Sequence, residues 1–592
     1  MTRSTVEEIV LLALAAAVGL GAGGTGVERP ESAPVAAPRR ARDERVVWLR
    51  EHAVPFATPE AGSGFADLEP LKAIIGGARI VALGEGTHGT REFFQMKHRL
   101  LEFLASEMGF TIFSIEASTP EAYELDPYVL GGPGDPKALI GGMYFWTWNT
   151  AEVLAMVEWM RAFNAAGKGP LHFTGFDMQT PEVAMEVVTG FLDGVDGERA
   201  RDVRARYGRM KDAQSKGGFG VATGTFPVER ARGKRVRFSG WIRTEGVSDG
   251  YAGLWWRNDV AGGGNGGFDN MSDRGPRGTS DWAHYSLELD VPAETSNINF
   301  GMLKPGQGKA WFDSLAIELD GEPFQDAQLF DLDFEGGLRG FSAFAPGYQN
   351  RIDDAVAHGG SRSLRIEPTA SAPDAMDARQ AAKGAREVLE ELEAGRELLL
   401  AERGAKEVDW ALHNARIVEQ CMRSRGDGAW GVRDECMAEN VEWILEQAPD
   451  ARIVLWAHNG HIWRMPGTMG AHLAKRFGAD YLPIGFSTSE GRYSAMAEGG
   501  LRDNPLAAPP ADSIESLLDA AGQPRLVLDL RTSVNGSADS GWLRKSSPFR
   551  SIGALAMEQQ FFPLVPADAF DVLVHVRTTT PAVQLDTRPG RR

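Results

Sequence analysis

Four short, largely apolar runs that stop abruptly at acid or imidazole side chains constrain this chain more than any other feature. Ile80–Leu83 runs into Gly84-Glu85-Gly-Thr-His88-Gly89, Thr111–Ile115 into Glu116, and Leu171–Phe176 into Asp177. Ile453–Trp456 runs through Ala457 into His458, with His461 three residues on. Short apolar runs bounded in this way read as buried strands. Between the first two, Thr90–Met108 has helical periodicity, with Phe93, Phe94, Leu100, Leu101 and Leu104 on one side and Gly109 as the C-cap. Glu152–Ala166 is a second amphipathic helix. Strand, helix, strand in repetition means βαβ units, so the fold class is α/β: a mostly parallel sheet flanked by helices. In such a sheet the residues just past the carboxyl ends of the strands line the ligand crevice. One site rich in Glu, Asp and His is therefore expected.

Within that site Glu85 and His88 stand three residues apart in a strand-to-helix turn. The glycines at 84, 86 and 89 permit close ligand approach, and the helix that opens there favours a developing oxyanion. His88 suits a general base or acid and Glu85 its orienting partner. Polar groups at four strand ends need partners, because an unpaired buried polar group costs several kcal/mol. No Gly-x-Ser-x-Gly elbow occurs, so a serine nucleophile has no support. His88, His458, His461, Glu85 and Glu116 could instead ligate Zn²⁺ or Mn²⁺, but His-Glu-x-x-His spacing is lacking. The expected set of metal ligands and cofactors is none, with the metal-dependent alternative open.

Residues 215–373 change character: Gly-rich, with alternating runs at Arg235–Arg243, Ala252–Arg257, His284–Asp290, Asn297–Met302, Ala310–Leu319 and Ser363–Glu367. Spaced strands with turn residues between them point to an all-β sandwich. The α/β pattern returns at 374–580, so the sandwich interrupts one domain whose first part is 45–214. The insert resembles galactose-binding-like jelly rolls on Gly233–Glu245, Trp311-Phe-Asp-Ser-Leu315, Phe334-Glu335 and Ser361–Ile366. Its Trp255, Trp256 and Trp282 either stack on sugar rings or fill the core, and a carbohydrate is one candidate partner.

Residues 1–25, with Arg3 ahead of the apolar run Ile9–Leu20 and small residues after it, read as a signal peptide, and 26–44 as a linker. Secreted or periplasmic location follows, or cytoplasmic location without cleavage, with no membrane segment in the mature form. Residues 581–592 form a tail. A net charge of −19 argues against nucleic acid as a partner. Cys421 and Cys436 either pair or stay as core thiols.

Several ordered motifs carry a second resemblance. They are Leu83-Gly-Glu-Gly-Thr-His-Gly-Thr-Arg-Glu-Phe-Phe94 with Lys97-His-Arg-Leu100, Phe176-Asp-Met-Gln179, Arg433-Asp434 with Met437-Ala-Glu-Asn440, and Trp456-Ala-His-Asn-Gly-His461. Over roughly 45–213 and 374–580 the chain resembles the erythromycin esterase family. The resemblance implies metal-independent opening of a macrolide lactone, with catalytic His88 activating water, Glu85 supporting it, and His458 and Lys97 holding or polarising the carbonyl. Lys97 departs from relatives that carry Arg there. Arg91, Glu116, Asp177 and His461 complete the set as substrate-binding candidates, and the partner is a small ester or lactone. The alternatives are an esterase acting on an acylated carbohydrate, a metal-dependent hydrolase or transferase, and a non-catalytic carbohydrate-binding protein.

Overall fold

The computed structural model describes residues 43–216, 219–248, 250–260, 264–342, 348–369, 378–425, 431–497, 500–531, 538–557 and 560–585. The expected signal peptide, nearly all of the expected linker and most of the tail lie outside the described residues. The chain divides into two compact units. One is Leu192–Glu391; the other joins the chain up to Phe191 with Leu392 onward.

The second of these is built on an eight-stranded sheet. Its strands in chain order are β1 (Val54–Pro55), β2 (Ile80–Leu83), β3 (Ile112–Ser118), β4 (His172–Asp177), β5 (Ile453–Trp456), β6 (Tyr481–Ser487), β7 (Arg525–Asp529) and β8 (Val572–Val576). Their order across the sheet is β1-β7-β8-β6-β2-β5-β3-β4. From β8 to β4 every neighbouring pair is parallel, and β7 alone runs against its neighbours. The chain after the insert thus threads β5 between β2 and β3, with Ile453 level with both Ile80 and Ile112.

Both faces of the sheet are covered, which is why its strands read as continuous apolar runs rather than as alternation. In β2, Val81 and Leu83 enter one core with Phe93, Phe94, Leu100, Phe113 and Trp456. Ile80 and Ala82 enter the other with Ile112, Ile453, Leu455, Met437 and Val441. Helix α1 (Arg91–Met108) supplies the first set of partners and ends at Gly109, whose φ of 71° is the left-handed cap conformation open to glycine. Among the described residues no helix is long and apolar enough to cross a membrane.

Gly84 has a specific tertiary reason. The Asn459 side chain crosses β2 at this point: its Nδ2 donates to Phe486 O at 2.8 Å, and its Oδ1 accepts from Phe486 N at 3.0 Å. A Cβ at Gly84 would stand 2.1 Å from that Oδ1. Gly84→Ala should therefore lower the stability of this unit by about 3 kcal/mol, combining overpacking with two strained buried hydrogen bonds. Thermal unfolding checks this, and an unchanged midpoint would show that Asn459 does not need the gap.

In the unit Leu192–Glu391 two antiparallel sheets share one core. The first runs Phe219–Thr225, Thr295–Pro305, Gly253–Val260, Gly264–Asp269. The second runs Tyr348–Asp353, Ser363–Pro368, Lys309–Leu319, Arg235–Val247, Gly278–Asp290. Phe238, Phe312 and Ile366 of the second meet Trp256, Phe300 and Met302 of the first. Helices Gly197–Lys216 and most of Ala378–Ala394 belong to the same unit, tied by Arg206 Nη1 donating to Glu391 Oε1 at 2.7 Å. Of the tryptophans considered for sugar stacking, Trp256 is fully buried and its Nε1 donates to Asn258 Oδ1 at 2.9 Å, so it is a core residue. Trp255 and Trp282 are half-buried.

Cys421 and Cys436 are unpaired. The Cys421 thiol points at Gln179 O, 3.5 Å away, and Arg423 donates to Cys436 Sγ at 3.0 Å. Burial pushes both thiols up to about 12, which leaves them unreactive core groups.

Candidate active site

The parallel register brings the carboxyl ends of β2, β5, β3 and β4 side by side, and with them the acid and imidazole groups. The turn after β2 is hemmed in on both sides. A Cβ at Gly86 would lie 3.2 Å from Phe486 O, and one at Gly89 would lie 2.0 Å from Ser494 O, so the spacing between Glu85 and His88 is set by backbone contact.

Glu85 is wholly buried and accepts three side-chain hydrogen bonds. His88 Nδ1 lies 2.7 Å from Oε1. Lys97 Nζ donates to Oε2 at 2.7 Å and Trp456 Nε1 donates to the same oxygen at 2.9 Å. A carboxylate can only accept, so Nδ1 of His88 carries a proton, and in the neutral ring Nε2 presents its lone pair. Among the described residues Nε2 makes no hydrogen bond. The His88 side chain keeps 12% of its surface exposed, which is the opening to the cluster. Lys97 has no exposed surface. Burial pushes its ammonium down to about 8, despite the opposing charge of Glu85.

His458 is held differently. Its Nδ1 accepts from Gly460 N at 3.1 Å, so its Nε2 carries the proton and donates to Ile552 O, also at 3.1 Å. Its own backbone N–H donates to Glu116 Oε2 at 2.9 Å. Burial, with His88 and His461 nearby, holds this imidazole well below its ordinary range, so it is neutral. The His458 and His88 ring centres are 5.0 Å apart.

A second knot of charge lies beside the first. Helix Val432–Gln447 places Arg433 between β3 and β4: its Nε and Nη2 donate to the two oxygens of Asp177 at 3.1 and 2.7 Å, and Nη2 also reaches Glu116 Oε1 at 2.8 Å. His461 has Asp434 Oδ1 at 2.9 Å from Nδ1 and Glu116 Oε1 at 3.3 Å from Nε2. Burial alone would lower the pKa of His461, but Asp434 and Glu116 outweigh it and raise it to about 10, so the ring is an imidazolium facing two carboxylates. Arg433 Nη1, 3.1 Å from Nε2, is the like charge that the surrounding carboxylates offset. Burial likewise opposes ionisation of Glu116, yet His461 and Arg433 hold it well below the usual carboxylate range.

Glu85, His88, Lys97, Glu116, Asp177, His458 and His461 are thus gathered into one network. Arg91 is not: it is half exposed and pairs with Glu152 at 3.4 Å. Lys97, expected to bind substrate, is instead an internal countercharge, because its ammonium is spent on Glu85, on Ala457 O at 3.4 Å and on the Trp456 ring at 4.5 Å. Arg433 and Asp434 were visible only as part of a motif and were not among the expected site residues. Trp148, which donates to Glu116 O at 3.0 Å and meets His88 edge-on at 6.1 Å, carried no sequence signal at all. The carboxylates a metal ion would need are engaged by Lys97, Arg433 and His461, and among the described residues no group of three His, Cys, Asp or Glu is arranged for a metal.

Comparison with known proteins adds a family. The model of the family described as erythromycin esterase matches residues 105–237 and 345–579. These segments hold Glu116, Asp177, Arg433, Asp434, His458 and His461 and begin after Glu85 and His88. The erythromycin esterase type II of Escherichia coli is 31% identical over 155 residues, 26% of this chain and 36% of the relative. The uncharacterized HTH-type transcriptional regulator YbfP of Bacillus subtilis (strain 168) is 38% identical over 129 residues, 22% of this chain and 43% of the relative. The chain therefore spans well under half the length of these curated relatives. A solved mutant of the erythromycin esterase EreC in its open conformation superposes with a TM-score of 0.50 at 14% identity, over 88% of this chain and 96% of that one, a likeness of fold.

Proposed function

Because the chain belongs to the erythromycin esterase family, we propose that it is a hydrolase that opens a carboxylic ester, a macrolide lactone by the family's name, with water activated by His88. The observation that carries this reading is His88 itself: Nδ1 tied to Glu85, Nε2 open, and the ring at the exposed edge of a charged cluster. Around it stand four carboxylates, Glu85, Glu116, Asp177 and Asp434, against three cations, Lys97, Arg433 and His461. The cluster carries one negative charge in excess, so a proton arriving on His88 is stabilised by its surroundings.

In the reaction, Nε2 takes a proton from water while the oxygen attacks the ester carbonyl. The carbonyl π electrons move to oxygen, and the resulting oxyanion is stabilised by the positive edges of Arg433 and His461, each partly exposed. Collapse expels the alkoxide, which takes the proton back from His88 and leaves as the alcohol. Neutral His458, packed against His88, keeps a competing positive charge away from the base.

Incubation with macrolides and simple esters followed by mass spectrometry tests the assignment. A macrolide gaining one water supports lactone opening; no hydrolysis of any ester or lactone would remove it.

The pH profile should carry the mark of Lys97. In the folded protein its ammonium loses its proton near 8, below the value of a free lysine, and Glu85 then loses its buried cation. Turnover should accordingly fall as pH rises through about 8. Lys97→Arg, which stays charged to about 12, should remove that limb. An identical alkaline limb in the variant would take Lys97 out of the profile.

A further inference from the structure

We propose that Arg550 is a positioning residue for the His88 and His458 pair, acting through the backbone of Ile552; the inference rests on the hydrolytic reading above. Ile552 touches both halves of the acid–base site at once. Its N–H donates to Gly86 O at 2.8 Å, inside the turn that separates Glu85 from His88. Its carbonyl accepts the Nε2 proton of His458 at 3.1 Å. One peptide on either side of one residue thus sets both the turn that carries His88 and the orientation of the ring beside it.

Ile552 lies just beyond the short strand Ser547–Arg550, in chain that has no regular pairing until the bridge of Met496 with Leu555. Irregular chain of this kind is ordinarily the softest part of a fold. Arg550, two residues earlier, supplies the missing stiffness. Its side chain has no exposed surface. Nε donates to Thr488 O at 3.0 Å, Nη2 to Ser489 O at 3.0 Å and to Ala507 O at 2.6 Å, and Nη1 to Gln560 Oε1. The guanidinium also lies over the Phe561 ring at 4.4 Å. One planar fork therefore ties three separate stretches of chain to its own, among them the residues that directly follow β6.

The cost of this arrangement is the reason to assign it a role. The four acceptors are neutral carbonyl oxygens, and a nearby carboxyl, Glu515, accepts the Arg550 backbone N–H at 2.9 Å. A cation buried among neutral acceptors is expensive, and an apolar side chain would serve stability as well or better. What an apolar side chain cannot do is hold three carbonyl-bearing segments in one fixed geometry. That rigidity reaches the chemistry through Ile552.

Arg550→Met tests the proposal, with Gln560→Ala as a milder variant that removes one acceptor and leaves the guanidinium in place. Steady-state kinetics and ring ¹⁵N spectra of histidine-labelled protein are measured on the full chain. The expected result for Arg550→Met is a kcat reduced by about 10²-fold, the scale of a misplacement near 1 Å, with KM within about threefold. The His458 ring should also change from a fixed Nε2–H tautomer to a mixture that responds to pH. Gln560→Ala should show the same two changes at smaller size, and it decides the matter if Arg550→Met does not fold. Arg550→Lys, which restores the charge but not the fork, should recover part of kcat. Wild-type kcat and an unaltered His458 ring in a folded variant would overturn the proposal, as would a rise in KM with kcat unchanged. If the wild-type protein hydrolyses no ester, the hydrolytic reading fails by itself. The ring spectra still decide on Arg550: a ring released in the variant upholds the positioning role, and an unchanged ring refutes it.

Discussion

Replacing His88 with asparagine should lower kcat on any ester substrate by about 10²–10⁴-fold, the usual contribution of a positioned base. Asparagine can still bond Glu85 across the tight turn, so the local structure should survive, but it cannot accept a proton from water. The loss belongs in kcat rather than KM, because His88 engages the attacking water and not the resting substrate. Circular dichroism and thermal unfolding of the variant should match the wild type. Turnover within a factor of two of wild type in a folded variant would remove His88 from the mechanism, and the hydrolytic reading would lose its base.

Arg433→Met should have the largest effect on stability. The guanidinium is the common partner of Asp177 and Glu116, which have almost no exposed surface; its removal leaves Asp177 with Gln179 Nε2 and the Met178 N–H, and Glu116 with His461 and the His458 N–H. Breaking a buried ion network by removing one partner typically costs about 3–5 kcal/mol. Arg433 keeps about a quarter of its side chain exposed, so a value near the lower end is expected. The sign of the pH dependence follows from Glu116. In the wild type His461 and Arg433 hold its pKa low against burial, and that contribution is present above the free carboxyl value and lost as pH falls through the lowered one. Without Arg433 the Glu116 pKa rises, and a protonated Glu116 no longer needs a cation. The gap in unfolding midpoint between wild type and variant should therefore narrow from pH 7 to pH 5. A gap that widens on acidification would mean that Arg433 does not act through these carboxylates.

Several local features were legible from the residues alone. The run Ile80–Leu83, the helix that follows it and its Gly109 cap depend on side chains within a few positions of one another, and each is found where periodicity placed it. The spacing of Glu85 and His88 likewise permits their hydrogen bond, since three residues in a glycine-rich turn are close enough to bring the two side chains together. The alternating runs of the insert became strands of two antiparallel sheets for the same reason: a period of two survives without knowledge of the partner strand.

The assembly of the site was another matter. Trp456 reaches Glu85 across 371 residues of sequence and Arg433 reaches Glu116 across 317, and no local signal states such a pairing. Lys97 and Arg91 show the consequence. Both are basic residues of α1, and Lys97 shares the helical face of Phe93, Phe94, Leu100, Leu101 and Leu104 while Arg91 does not; the packing of β5 beside β2 then seals Lys97 against Trp456 and leaves Arg91 half exposed beside Glu152. His458 and His461, three residues apart, diverge for the same reason: one is neutralised by burial and fixed to Ile552 and Gly460, the other is held charged between Asp434 and Glu116. What the sequence determined by itself is the set of strand ends and the chemistry each can offer, because propensity and periodicity act over short range. What only the tertiary structure decided is which end neighbours which, and hence the charge of every group in the cluster, because strand order and burial depend on contacts between residues hundreds of positions apart.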